Sequence, residues 1–162
     1  VMDVFEYAMQ LEKEAQEYYR DLAAQTGNQG FKNILNWLAD EEAKHYHILG
    51  EMQKKGSSQI VESTLLSDAK EVFKSMQESL GELTFKESKV ELYQKAQDME
   101  IESRDFYTQK SKQTSDPVQK ELFSHIAEEE KKHFFLLGNI IEFVKRPERW
   151  LENAEFYQLE QF

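Results

Sequence analysis

Two Glu-x-x-His motifs, Glu42 to His45 and Glu130 to His133, interrupt stripes that are otherwise apolar: Phe31, Leu35, Leu38, Leu49 and Met52 around the first, Phe123, Ile126, Leu137 and Ile140 around the second. On a helix, three residues advance about 4.5 Å along the axis and turn onto an adjoining face, so one such pair can share an ion. Two further glutamates stand in helical stripes of their own. One stripe reads Ala8, Glu12, Ala15, Tyr19, Leu22; the other reads Tyr93, Ala96, Glu100, Ser103, Tyr107. In both, small residues lie one turn before and after the acid, as if space were left beside it. Burying isolated carboxylates costs several kcal/mol each, and four together without counter-charge would force protonation. No Lys or Arg lies in the four stripes. Two divalent cations would cancel four carboxylates and leave neutral imidazoles as further ligands, which makes Glu12, Glu42, His45, Glu100, Glu130 and His133 the candidate metal set. Carboxylate and imidazole without sulfur suit two iron ions best, with manganese or zinc as alternatives.

The elements that must position these residues repeat. Shifted by 88 positions, Ala8–Gly50 aligns with Ala96–Gly138 without a gap, with 14 identities in 43 positions, and two of the chain's four histidines fall in register. Two helical hairpins built alike are implied. Thr26-Gly27-Asn28 and Ser115-Asp116-Pro117 supply the turns, the second with an N-cap followed by proline at the first helical position. Long helices are expected over Asp3–Gln25, Gln29–Lys54, Lys86–Gln113 and Pro117–Val144. The crossover between the hairpins, residues 56–86, is long enough to run the length of a bundle. It carries a shorter helix over Ser67–Leu80, where Ala69, Val72, Phe73, Met76 and Leu80 recur at helical spacing and Gly81 ends it. The fold class is therefore all-α: a four-helix bundle over residues 1–145, followed by an aromatic-rich tail, 146–162, that packs across the bundle or against a second subunit of a homodimer.

Composition narrows the partners. A net charge of -11 disfavours nucleic acid, which needs a basic face. No cysteine is present, which excludes iron–sulfur clusters, thiolate zinc sites and thiol nucleophiles. No apolar run is long enough for a bilayer and the N-terminus lacks a signal-peptide pattern, so a cytoplasmic location without membrane contact is expected.

Other repeated residues have blander readings. Glu14 shares a face with Gln10, Glu17 and Asp21, and Glu102 lies beside Lys95, Asp98 and Gln109, as on solvated surfaces. Glu41 and Glu129 flank the metal stripes and are expected in surface pairs with nearby lysines, contact behind the metal ligands being the minority reading. His47 and His125 match aromatic residues of the other repeat, as packing or boundary positions. Tyr19 and Tyr107 either hydrogen-bond a carboxylate or a bound ligand or are core tyrosines with satisfied hydroxyls.

One lone Glu and one Glu-x-x-His from each hairpin is the constellation of ferritin-like carboxylate proteins. Over about Ala8 to Ile140 the sequence resembles the rubrerythrin branch of that superfamily. The resemblance implies a ferritin-like bundle in which Glu12, Glu42, His45, Glu100, Glu130 and His133 ligate two iron ions, with Glu42 and Glu130 bridging. It also implies an oxidoreductase that reduces peroxide or dioxygen, the alternative being iron handling or storage with ferrous oxidation. Full-length rubrerythrins carry a cysteine-ligated iron domain; without cysteine, this chain requires an external electron donor. Ser103 stands where peroxidase-type members resemble one another in an additional glutamate.

Overall fold

The computed structural model describes residues 2–78 and 89–145. Among them are five helices and no strand: α1 (Val4–Gln25), α2 (Gln29–Lys55), α3 (Leu65–Glu78), α4 (Val90–Gln113) and α5 (Pro117–Lys145). The ends follow from local chemistry. The Asp3 carboxylate accepts from the Glu6 amide at 2.9 Å to open α1, and Asn28 accepts from the Phe31 amide at 3.0 Å to open α2. Gly56, at φ 71°, closes α2 with its N–H on the Met52 carbonyl. Asp116 accepts from the Val118 amide at 2.9 Å, one residue past Pro117, which begins α5.

The long helices lie within a residue or so of their expected ends except at the start of α4. That helix begins at Val90, after a non-helical Lys89, later than the expected Lys86; residues 86–88, Leu80, Gly81 and the tail 146–162 lie outside the described residues. The crossover helix begins at Leu65, two residues before the expected Ser67. The cause is capping: Ser63 Oγ accepts from the Leu65 amide at 3.1 Å, and Thr64 receives the Asp68 amide on its carbonyl.

The α1 helix packs along α2, and α4 along α5, so each sequence repeat folds as a hairpin. The hairpins meet face to face, and α3 lies across α2 and α5. Gly30 admits that close approach, since a Cβ there would lie 2.8 Å from Val72 Cγ1. The buried side chains form two apolar clusters. One holds Tyr19, Leu22, Phe31, Leu35, Leu38, Phe73, Ile140 and Phe143; the other holds Ala8, Leu49, Met52, Tyr107, Leu122, Phe123 and Ile126. Phe31 bridges toward both α3 and α5, edge-on to Phe73 and Phe143. Each large apolar side chain contributes roughly 1.5–3 kcal/mol by leaving water. On every long helix the glutamates and histidines of interest fall between these clusters, so the polar middle is closed at both ends by hydrocarbon and aromatic rings. No described helix is long and apolar enough to cross a membrane.

Candidate metal centre

Helical periodicity forces the six candidate residues inward. Glu12 is one turn from Ala8 and Ala15, Glu100 one turn from Ala96 and Ser103, and all four of those flanking residues are buried. None of Glu12, Glu42, His45, Glu100, Glu130 and His133 exposes more than 2% of its surface. Their ligand atoms converge as two overlapping groups, each within 4.8 Å: Glu12, Glu42, His45 and Glu130 in one, Glu42, Glu100, Glu130 and His133 in the other. Glu42 and Glu130 belong to both groups.

Both histidines present Nδ1 to this centre. His45 Nδ1 lies 3.2 Å from Glu130 Oε1 and 3.4 Å from Glu12 Oε2; His133 Nδ1 lies 2.9 Å from Glu42 Oε1 and 3.5 Å from Glu100 Oε1. The rings stack nearly parallel, 6.0 Å apart. Seven buried atoms of these six residues have no properly aligned hydrogen-bond partner: Glu12 Oε2, both oxygens of Glu42, Glu100 Oε2, Glu130 Oε1 and the two Nδ1 atoms. Native interiors rarely leave such groups unsatisfied. Each of the six residues contributes at least one orphaned atom, and all seven are of a kind that binds a cation, so the donor set fits a pair of metal ions.

The electrostatics agree. Burial pushes Glu12 well above the ordinary carboxylate range, with the neighbouring Glu42 charge adding to it. Burial likewise raises Glu130, reinforced by Glu100, Glu42 and Glu12. For Glu42, burial also acts upward but is outweighed by hydrogen bonding to Glu12, His133 and His45, which holds it well below. Burial disfavours charge on His45 and His133, yet the carboxylates around them, Glu12 and Glu100 foremost, raise both well above the ordinary imidazole range. Without a cation, protons do the neutralising.

The two tyrosines resolve in favour of carboxylate bonding, and they do so crosswise. Tyr107 of α4 donates to Glu12 Oε1 of α1 at 2.6 Å, and Tyr19 of α1 donates to Glu100 Oε1 of α4. Each remains a core residue, buried to 1% exposure or less. Burial and the adjacent carboxylates raise both phenols, so they stay protonated donors.

Glu129 and Glu41 depart from the surface-pair expectation. Glu129 and Glu41 are 5% and 6% exposed rather than surface residues. Glu129 Oε1 lies 3.0 Å from His45 Nε2 and 3.0 Å from His125 Nε2. It orients the ring whose other nitrogen faces the centre, and His45 with His125 holds its pKa down against burial. Glu41 does pair with Lys44 at 3.7 Å, but it also accepts from Ser63 Oγ at 2.7 Å. His125 is half-buried and polar-bonded, not an aromatic filler. The signal that could have found Glu41 and Glu129 is the run Glu41-Glu42 repeated as Glu129-Glu130: two adjacent acids on one helix point about 100° apart, and opposing hairpins can bury both faces. Glu14 and Glu102 are exposed, as their helix faces implied.

The sequence model of the family described as Rubrerythrin matches residues 3–141 of this chain. No curated protein and no solved structure matches it.

Proposed function

The chain belongs to the rubrerythrin family, and from that premise we propose that it is a di-iron oxidoreductase reducing peroxide or dioxygen with electrons from an external donor. The orphaned atoms carry this reading: seven buried oxygen and nitrogen atoms, on six residues and in two overlapping groups, have no aligned hydrogen-bond partner. In the proposed assignment Glu12 and His45 would hold one ion and Glu100 and His133 the other, with Glu42 and Glu130, common to both groups, available to each. Iron, when bound, supplies redox cycling between ferrous and ferric states and a coordination position for the oxidant.

The protein's own contribution is positional and electrostatic. Tyr107 and Tyr19 each fix one carboxylate oxygen, leaving Glu12 Oε2 and Glu100 Oε2 free to ligate. Glu129 fixes the His45 ring so that Nδ1 faces inward. The two apolar clusters exclude bulk water from both ends, which strengthens every charge interaction inside. Protons held by the cluster in the metal-free protein leave as cations enter.

The test is anaerobic loading with ferrous iron followed by hydrogen peroxide. Uptake of two ions per chain, a change in the absorption spectrum and consumption of peroxide are expected. No spectral change and no peroxide consumption would overturn the proposal. Iron handling uses the same six residues and is separated by light scattering, because a hollow shell of many subunits favours storage whereas a monomer or dimer encloses no mineral volume.

A further inference from the structure

On the outer side of His45 lies a cavity of about 640 Å³ that none of the roles above uses. Its wall runs from exposed His47 down to buried Glu41, His45 and Glu129, with His125 and Glu51 also lining it. Three of the chain's four histidines therefore face one cavity. At its floor, ligand atoms of Glu41, His45 and Glu129 lie within 4.8 Å of one another, and all three residues are more than nine-tenths buried. His125 Nε2 lies outside this group of three and backs it through Glu129, 3.0 Å from Glu129 Oε1. Ions such as zinc bind nitrogen and carboxylate oxygen at roughly 2.0–2.2 Å, so donors about 3 Å apart are spaced as ligands of a single ion.

We propose that Glu41, Glu129 and His45, with His125 positioning Glu129 from behind, form an acquisition site for a divalent transition-metal cation, from which the ion passes to the buried centre. The donor set, two carboxylates and an imidazole without sulfur, selects that class of ion. The site's role as a staging point rests on the di-metal reading; its capacity to bind a cation does not. His45 is the partition, since Nε2 faces Glu129 on the cavity side while Nδ1 faces Glu12 and Glu130. An ion held on Nε2 already has one ligand in common with the centre. Once Nδ1 is engaged by the centre, Nε2 carries a proton donated to Glu129, and the outer site loses a ligand; the outer ion therefore binds more weakly than the inner pair. Lys44, 3.7 Å from Glu41, has a 67% exposed side chain and is free to swing into water as the cation arrives. The acids at the cavity floor give an ion a favourable potential to follow inward from the surface.

The experiment is a titration of the metal-stripped full chain with Co²⁺, followed by calorimetry and equilibrium dialysis, with stopped-flow absorption for the rate of filling. Wild-type protein is expected to take two tight equivalents and a third, weaker one. Glu41→Gln combined with His125→Ala removes the third equivalent, retains the first two, and slows their filling on the order of tenfold, the scale on which groups behind a metal ligand act. His125→Ala alone, at a half-buried position, weakens the third equivalent without threatening the fold, and circular dichroism verifies helicity. A wild-type titration ending at two equivalents overturns the outer site and leaves the di-metal centre standing. A third equivalent unchanged in the variants also overturns it. A single equivalent that the double variant abolishes upholds the outer site while the di-metal reading fails, and a single equivalent that the double variant retains refutes both.

Discussion

Tyr107 of the second hairpin donates its hydroxyl to Glu12 of the first at 2.6 Å, deep in the seam between them. With Tyr19 donating to Glu100 in the opposite direction, the repeats are tied crosswise at two buried points. Each tie leaves the other oxygen of its glutamate, Glu12 Oε2 or Glu100 Oε2, without a hydrogen-bond partner. The tyrosines thus decide which oxygen is available to a cation.

Tyr107→Phe should destabilise the metal-free protein by about 1–3 kcal/mol, the cost of stranding a buried carboxyl oxygen. Tyr19→Phe should do the same through Glu100. Urea unfolding of the two variants against wild type measures this, and an unchanged midpoint for both would show that the hydroxyls are dispensable.

Glu42 belongs to both ligand groups, whereas Glu12 and Glu100 belong to one each. Glu42→Ala is therefore expected to reduce metal content sharply at both positions, while Glu12→Ala and Glu100→Ala each spare about half. Exposed Glu14→Ala changes nothing. Elemental analysis of anaerobically purified variants reads the stoichiometry, and equal losses across all four would contradict the assigned sharing.

Glu129→Ala frees the His45 ring and should weaken the ion beside it by roughly 10–100-fold, the usual consequence of removing a partner behind a metal-bound imidazole. The ion beside His133 is affected less. Competition with a chelator of known affinity would show two unequal steps in the variant; two equally weakened steps would argue against a local effect.

The metal-free protein should lose stability as pH rises. Glu12, Glu130, His45 and His133 all have folded-state pKa values raised above the ordinary 4.5 or 6.5, so the folded state binds more protons than the unfolded one over that span. The carboxyl contributions are complete below about pH 4.5 and the imidazole contributions below about 6.5, and each fades as pH climbs toward its raised value. Glu42 and Glu129 act oppositely, with stability present above about 4.5 and lost in acid, which limits the gain on the acidic side. Thermal melts of stripped protein from pH 6 to 9 should move downward. Cation binding reverses the slope, because ions replace the protons, and a flat melting profile in stripped protein would refute the proton-filled cluster.

Metal loading should itself stabilise the fold, by about 2.7 kcal/mol when free metal is a hundredfold above its Kd. Melting temperature against metal concentration tests this in wild type and in Glu42→Ala, where the shift should vanish. An equal shift in both would place the binding elsewhere.

The sequence alone determined which residues would be buried together along each helix. A period of 3.6 residues makes Glu12, Glu42, Glu100 and Glu130 share faces with leucine, isoleucine, alanine and phenylalanine, and the internal repeat supplied the hairpin twice. Cap and turn residues such as Asp3, Asn28 and Asp116 set the described helix ends, because they satisfy backbone groups locally. What periodicity along one helix does not specify is the face presented to another helix. The Tyr19–Glu100 and Tyr107–Glu12 ties join residues 81 and 95 positions apart, and the Glu129–His45 contact joins residues 84 apart. Those partnerships arise only when the hairpins dock. Glu129 reads on its own helix as a flanking acid, and it is the opposing hairpin that removes it from water and sets it against His45.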